Sequence, residues 1–165
     1  MKKNLLLFLF IFSFLTPCIG QTQSREGLIQ FSVGPGIGFN TPTRFDLDAA
    51  AEYFYDDTFS LGLDFDIFVR GDGFFDLLPF VRYHFDLLEQ PKFLPYVGGG
   101  AGILFGSNGN VAFDLMAPNL GFEYEVTPHL FVGPDASFHI LMGDRFWGGS
   151  TSWDLQIVGR VGYRF

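Results

Sequence analysis

The chain has 165 residues, a formal net charge of −8 and one cysteine. Such an acidic balance disfavours nucleic acid as a partner. Hydrophobic residues make up 48% of the sequence, with 23 phenylalanines, yet beyond the N-terminal segment no apolar run approaches a membrane helix, so the apolar content is distributed by alternation.

Met1-Lys2-Lys3-Asn4 followed by the apolar run Leu5 to Leu15 has the form of a secretory signal peptide and is too short to span a bilayer. Cys18-Ile19-Gly20 before Gln21 places small residues at the cleavage positions, so residues 1–20 are expected to leave and residues 21–165 to form a single domain. Cys18 as a lipidated first residue is the rival, since Leu15-Thr16-Pro17-Cys18 loosely resembles a lipobox; Pro17 argues against it. Removal of Cys18 excludes disulfides, thiolate catalysis and cysteine metal sites, and loss of Lys2 and Lys3 takes the net charge to −10.

Eight segments then alternate with period two, the signature of strands with one apolar face. In the first, Ile29, Phe31, Val33, Pro35, Ile37 and Phe39 oppose Gln30, Ser32, Gly34, Gly36 and Gly38. In the second, Phe45, Leu47, Ala49, Ala51, Tyr53 and Tyr55 oppose Arg44, Asp46, Asp48, Glu52 and Asp56. The third sets Phe59, Leu61, Leu63, Phe65, Ile67 and Val69 against Ser60, Gly62, Asp64, Asp66 and Arg70. The fourth, from Leu77, sets Pro79, Val81, Tyr83, Phe85 and Leu87 against Phe80, Arg82, His84 and Asp86.

In the fifth, Phe93 to Phe105, glycines replace charges on the polar face beside Tyr96, which suits a narrow interior. The sixth carries Leu120, Phe122, Tyr124 and Val126 against Asn119, Gly121, Glu123 and Glu125, but Phe113 and Leu115 sit in the opposite phase; Pro118 marks the expected bulge. The seventh sets Leu130, Val132, Pro134, Ala136, Phe138 and Ile140 against Gly133, Asp135, Ser137 and His139. The eighth sets Trp153, Leu155, Ile157, Val161, Tyr163 and Phe165 against Ser152, Asp154, Gln156, Arg160, Gly162 and Arg164. Short turns at 56–58, 88–92 and 127–128 would lie at one end, and loops at 40–42, 71–76, 106–110 and 143–150 at the other.

Strands of this length and even number predict an all-β, eight-stranded antiparallel up-and-down transmembrane barrel. A basic group near the bilayer midplane costs about 2 to 4 kcal/mol, so the polar faces must line the interior. Arg44, Arg70, Arg82, Arg160 and Arg164 are then expected to meet Asp46, Asp48, Glu52, Asp64, Asp66, Asp86, Glu123, Glu125, Asp135 and Asp154 in a filled lumen, with His84 and His139 among them. Carboxylates outnumber arginines, so some are expected at the wet ends or protonated. The soluble alternative is a secreted barrel binding a small apolar ligand inside. Glycine-rich polar faces and a single lysine, Lys92, beyond residue 20 weigh against it.

The segment Pro95 to Ile103 and the ending Val161-Gly162-Tyr163-Arg164-Phe165, with the signal-like start and eight alternating strands, resemble the small outer-membrane β-barrel family that includes the OmpA transmembrane domain and OmpX. The resemblance covers the mature chain as a pattern. It implies residence in the outer membrane among lipid and lipopolysaccharide, and a C-terminal signal read by the assembly machinery, matched by Phe165, Tyr163, Val161 and Ile157, with Gly159 departing from it.

The expected function is non-enzymatic: a monomeric barrel with a structural or surface-interaction role, its exposed chemistry at 71–76 and Arg145-Phe146-Trp147. The enzymatic alternative is a lipid A acyl hydrolase or transferase, for which Ser137, His139 and Asp135 supply nucleophile, base and acid on one strand. A pore is disfavoured by inward Phe68, Phe80, Tyr96 and Phe131. No cofactor or metal is expected: His129 sits at a turn, and no ligand spacing recurs.

Overall fold

In a computed structural model, which describes residues 24–39, 43–69, 74–85, 92–106, 109–143 and 151–165, the alternating segments form eight antiparallel strands. They are β1 (Ile29–Gly38), β2 (Arg44–Phe54), β3 (Phe59–Val69), β4 (Phe74–His84), β5 (Phe93–Gly106), β6 (Val111–Glu125), β7 (Leu130–Met142) and β8 (Thr151–Arg164). Each pairs with its neighbours in sequence, and β1 pairs with β8 to close the barrel. Closure leaves no unpaired edge, the condition under which strands tolerate lipid. The start of β1 and the ends of β2, β4, β6 and β8 share one end of the barrel, called here the near end. The ends of β1, β3, β5 and β7 lie at the far end.

The alternation sorts side chains by environment. On β2, Arg44, Asp46, Asp48, Glu52 and Phe54 are buried while Phe45, Leu47 and Tyr53 are exposed. The wholly apolar outward set includes Val33, Phe45, Leu47, Leu63, Val81, Ile157 and Val161, with Phe45 64% exposed. A soluble surface would not carry so continuous an apolar belt; a bilayer requires one. Aromatic rings gather at both rims: Phe59 on Tyr83, Tyr83 on Phe85 and Tyr163 on Phe165 at the near end, and Phe65 on Phe75 and Phe75 on Phe105 at the far end. The secreted-barrel alternative, with its apolar face inside, is thereby inverted.

The phase slip in β6 is real. Asp114 and Met116 point inward and are buried, the register shifts between Met116 and Asn119 across Ala117-Pro118, and Asn119 and Glu123 then take the inner face. A matching irregularity on β5 falls between Gly98 and Gly100. One expectation is corrected: β4 begins at Phe74, so residues 74–76 belong to the strand and not to a loop, and Asp76 is 1% exposed.

Four inner-face glycines receive a side chain from the directly opposite residue of the next strand. Asp46 lies over Gly36, Phe80 over Gly62, Tyr96 over Gly121 and Phe131 over Gly162, and a Cβ at any of these glycines would overlap its partner's side chain. Inward rings therefore fit a narrow lumen by occupying the space that a glycine leaves open.

Candidate functional site: the polar lumen

The interior is filled. Arg44, Asp46, Asp48, Glu52, Asp64, Asp66, Arg82, His84, Glu123, Asp135, His139, Asp154, Arg160 and Arg164 are all buried on the inner face, and Glu125 is half-buried at the near rim. Arg70 and Asp86 lie outside the described residues. Tyr96, Gln30, Ser60, Asn119, Ser137 and Gln156 share the lining with them.

The near half is centred on Arg82. Its Nη1 donates to Glu52 Oε2 at 2.8 Å, its Nη2 to Asp135 Oδ2 at 3.1 Å and its Nε to Asn119 Oδ1 at 2.9 Å. The rings of Phe80 and Tyr96 flank the guanidinium at 4.2 and 4.5 Å. Asp135 also accepts from Tyr96 and from Asn119 Nδ2, at 2.6 and 2.7 Å. Glu52 accepts from Gln30 Nε2 at 2.8 Å and is bonded to Ser60 and His84. Arg164 pairs with Glu123 and Glu125, and its Nε donates to Gln30 Oε1 at 2.9 Å. Both oxygens of Glu52, Glu123 and Asp135 have a donor aimed at them, the condition under which buried charge is tolerated.

At the inner boundary of the far half, Arg160 Nη2 bridges Asp48 and Asp64 at 2.7 Å each, beside an apolar layer of Ala50, Leu78, Phe80 and Met116. The far half holds Asp46, Asp66, Asp76, Asp114, Ser137, His139, Gln156 and the Arg44–Asp154 pair. Beyond it Phe68, Phe74, Leu104, Ala112 and Leu141 pack into an apolar plug, with Phe68 stacked on Phe74 at 4.6 Å and Arg44 over the Phe68 ring at 4.4 Å.

Within the far half, Ser137 Oγ lies 2.8 Å from His139 Nε2, and His139 Nδ1 lies 2.7 Å from Asp114 Oδ2. Serine, histidine and aspartate thus fall in the order that acyl-transfer enzymes use. The acid is Asp114 and not the expected Asp135, which is committed to Arg82, Tyr96 and Asn119. The proton order runs the wrong way for catalysis. Gln156 Nε2 donates to Asp46 Oδ2 and Asp66 Oδ1, which turns its Oε1 towards Ser137 to accept the hydroxyl proton at 3.2 Å. Ser137 therefore accepts from His139 Nε2–H and hands it no proton. Ser137 and His139 are also 2% and 5% exposed, beneath the plug and away from the lipid where an acyl substrate would lie.

Asp76 and Asp114 were not foreseen as interior groups. Asp76 was hidden by the loop-like Gly71-Asp72-Gly73 before it, and Asp114 by the inverted phase of early β6. The outward Ile157, Val161, Tyr163 and Phe165 are 44 to 67% exposed on β8 and just after it. Arg145, Phe146 and Trp147 lie outside the described residues.

The sequence matches no protein-family model and no curated protein. Solved structures share the fold. The N-terminal β-barrel domain of Pseudomonas aeruginosa OprF aligns over 87% of this chain and 100% of its own at a TM-score of 0.61 and 18% identity. Neisserial surface protein A aligns over 86% and 97% at 0.63 and 13%. Ail, the attachment invasion locus protein of Yersinia pestis, aligns over 85% and 99% at 0.54 and 13%. The architecture is that of the small outer-membrane β-barrels.

Proposed function

We propose that the protein is a non-enzymatic, monomeric integral barrel of the outer membrane, embedded in lipid and lipopolysaccharide, that acts through its outward-facing loops and its contribution to the envelope. One observation carries this reading: among the described residues the lumen is lined with ion pairs and packed at the far end by the Phe68–Phe74 plug, with Ser137 and His139 buried beneath it. The far-end connections are then the parts free to meet partners. A structural neighbour, Ail, has been crystallised with the heparin analogue sucrose octasulfate, and by analogy the loops of this barrel are the parts assigned a surface-interaction role. Residues 1–20 serve as the export signal, and Phe165, Tyr163, Val161 and Ile157 as the assembly signal.

The test compares a deletion strain with its parent for detergent sensitivity, surface adhesion and lipid A mass spectra, and follows gel mobility of the outer-membrane fraction with and without boiling. A heat-dependent mobility shift, altered adhesion or detergent sensitivity, and unchanged lipid A are expected. Altered lipid A would make the protein an enzyme; reproducible single-channel steps would make it a pore.

A further inference from the structure

Among the described residues, the far half of the lumen holds more carboxylates than cationic groups. Asp46, Asp48, Asp64, Asp66, Asp76, Asp114 and Asp154 face two arginines, Arg44 and Arg160, and His139. Two trios bring potential ligand atoms within 4.8 Å of one another: Asp48, Asp64 and Asp66, and Asp76, Asp114 and His139. The first already has its cation, the Arg160 guanidinium. The second sets two carboxylates against one histidine, His139, which is bonded to Asp114. Asp76 is 1% exposed and makes no well-formed hydrogen bond to a donor at either oxygen, and Asp114 Oδ1 makes none either. A buried carboxylate in that condition requires a positive partner or a proton.

We propose that Asp76, Asp114 and His139 bind one divalent transition-metal ion of the zinc and manganese type within the barrel. Two features shape the site for it. The Gln156–Ser137 chain fixes His139 with Nε2–H donating to Ser137, which leaves Nδ1 facing Asp114 Oδ2. Two lone pairs facing one another at 2.7 Å require a proton or a metal ion between them. Ligand atoms about 2.1 Å from a tetrahedral metal stand roughly 3.4 Å apart, so this pair must open by about 0.7 Å. Ser137 and Gln156 would then orient the ligating imidazole, the outer-shell role that metal-bound histidines commonly require. Two carboxylates and one neutral imidazole balance the charge of a divalent ion and, as mixed oxygen and nitrogen donors, suit zinc or manganese.

The experiment refolds the full chain from urea into detergent micelles with zinc chloride, then removes unbound metal and counts zinc by mass spectrometry in the fraction that shows the folded gel mobility. Refolding lets the ion enter before the plug closes. About one zinc per folded chain is expected for the parent and for His129→Gln, and less than about a tenth for Asp76→Asn and His139→Gln. Zinc should also raise the unfolding temperature of the parent and not that of Asp76→Asn. A folded parent without stoichiometric zinc overturns the proposal, and means that Asp76 and Asp114 share a proton instead. Equal zinc in parent and Asp76→Asn overturns it as well, because the metal then sits elsewhere. Should either variant fail to fold, the parent's own zinc content and its response to zinc still decide.

Discussion

The two halves of the lumen solve the same problem differently. In the near half, Glu52, Glu123, Glu125 and Asp135 are matched by Arg82, Arg164 and amide or hydroxyl donors, and among the described residues none of their buried oxygens is left without a partner. In the far half, Asp46, Asp48, Asp64 and Asp114 each keep one unpartnered oxygen and Asp76 keeps two. A carboxylate is therefore a structural keystone in one half and a group in want of a counter-charge in the other, although both lie on the inner face of the same sheet. Burial alone does not assign a role to a charged residue; the donors around it do.

The sharpest way to break this comparison is to neutralise one carboxylate in each half without changing its shape. Glu52→Gln removes the charge opposite Arg82 and turns an amide donor towards Ser60, His84 or Gln30. It should cost about 3 to 5 kcal/mol, read from urea unfolding in lipid vesicles, as breaking a buried pair does. A loss below about 1 kcal/mol would show that the near network is not a stabilising unit. Next in size, Leu63→Arg on the exposed middle of β3 should cost about 2 to 4 kcal/mol in the same assay. No effect would mean that this face does not meet lipid.

Asp76→Asn, measured with chelator present, should change stability by no more than about 1 kcal/mol in either direction, because no donor is lost. A cost as large as that of Glu52→Gln would erase the contrast between the halves. The smallest effect lies outside the membrane, in the turn after β2. Asp56 accepts from Thr58 Oγ1, Thr58 N and Phe59 N at 2.7 Å each, which lowers its carboxyl below the ordinary value. A lowered folded-state value means that the carboxylate stabilises the fold above the ordinary carboxyl value, near pH 4, and that this contribution disappears as pH falls through the lowered one. The difference between parent and Asp56→Ala in urea midpoint should thus be present at pH 6 and shrink towards pH 3. A difference independent of pH would assign the effect to lost packing.

Much of the barrel was legible because burial on one face and lipid on the other write period two into the chain. Even the defect in β6 could be read, since Phe113 and Leu115 fall out of step with Leu120 and Phe122 and Pro118 sits between. The far-half site was not legible. Phe74-Phe75 adjoins a Gly-Asp-Gly stretch and breaks the alternation, which disguised the start of β4 and with it Asp76. Asp114 and His139 meet across a seam displaced by the bulge, so no spacing along the chain reports their contact. Alternation tells which way a residue points; which residues meet inside depends on registers summed across several seams.

The glycine and side-chain pairs at Gly36 and Asp46, Gly62 and Phe80, Gly121 and Tyr96, and Gly162 and Phe131 fall one on each of the four hairpins that turn at the far end. Each acts as a mortise and tenon cut into the strands themselves. A slip of one residue would turn the side chain to the other face, and a slip of two would carry it off its slot. Alignment of each hairpin is thus settled within the wall, with no instruction from the turn that joins its strands, and that leaves the far-end loops at liberty to change in length and sequence while the barrel beneath them stays the same.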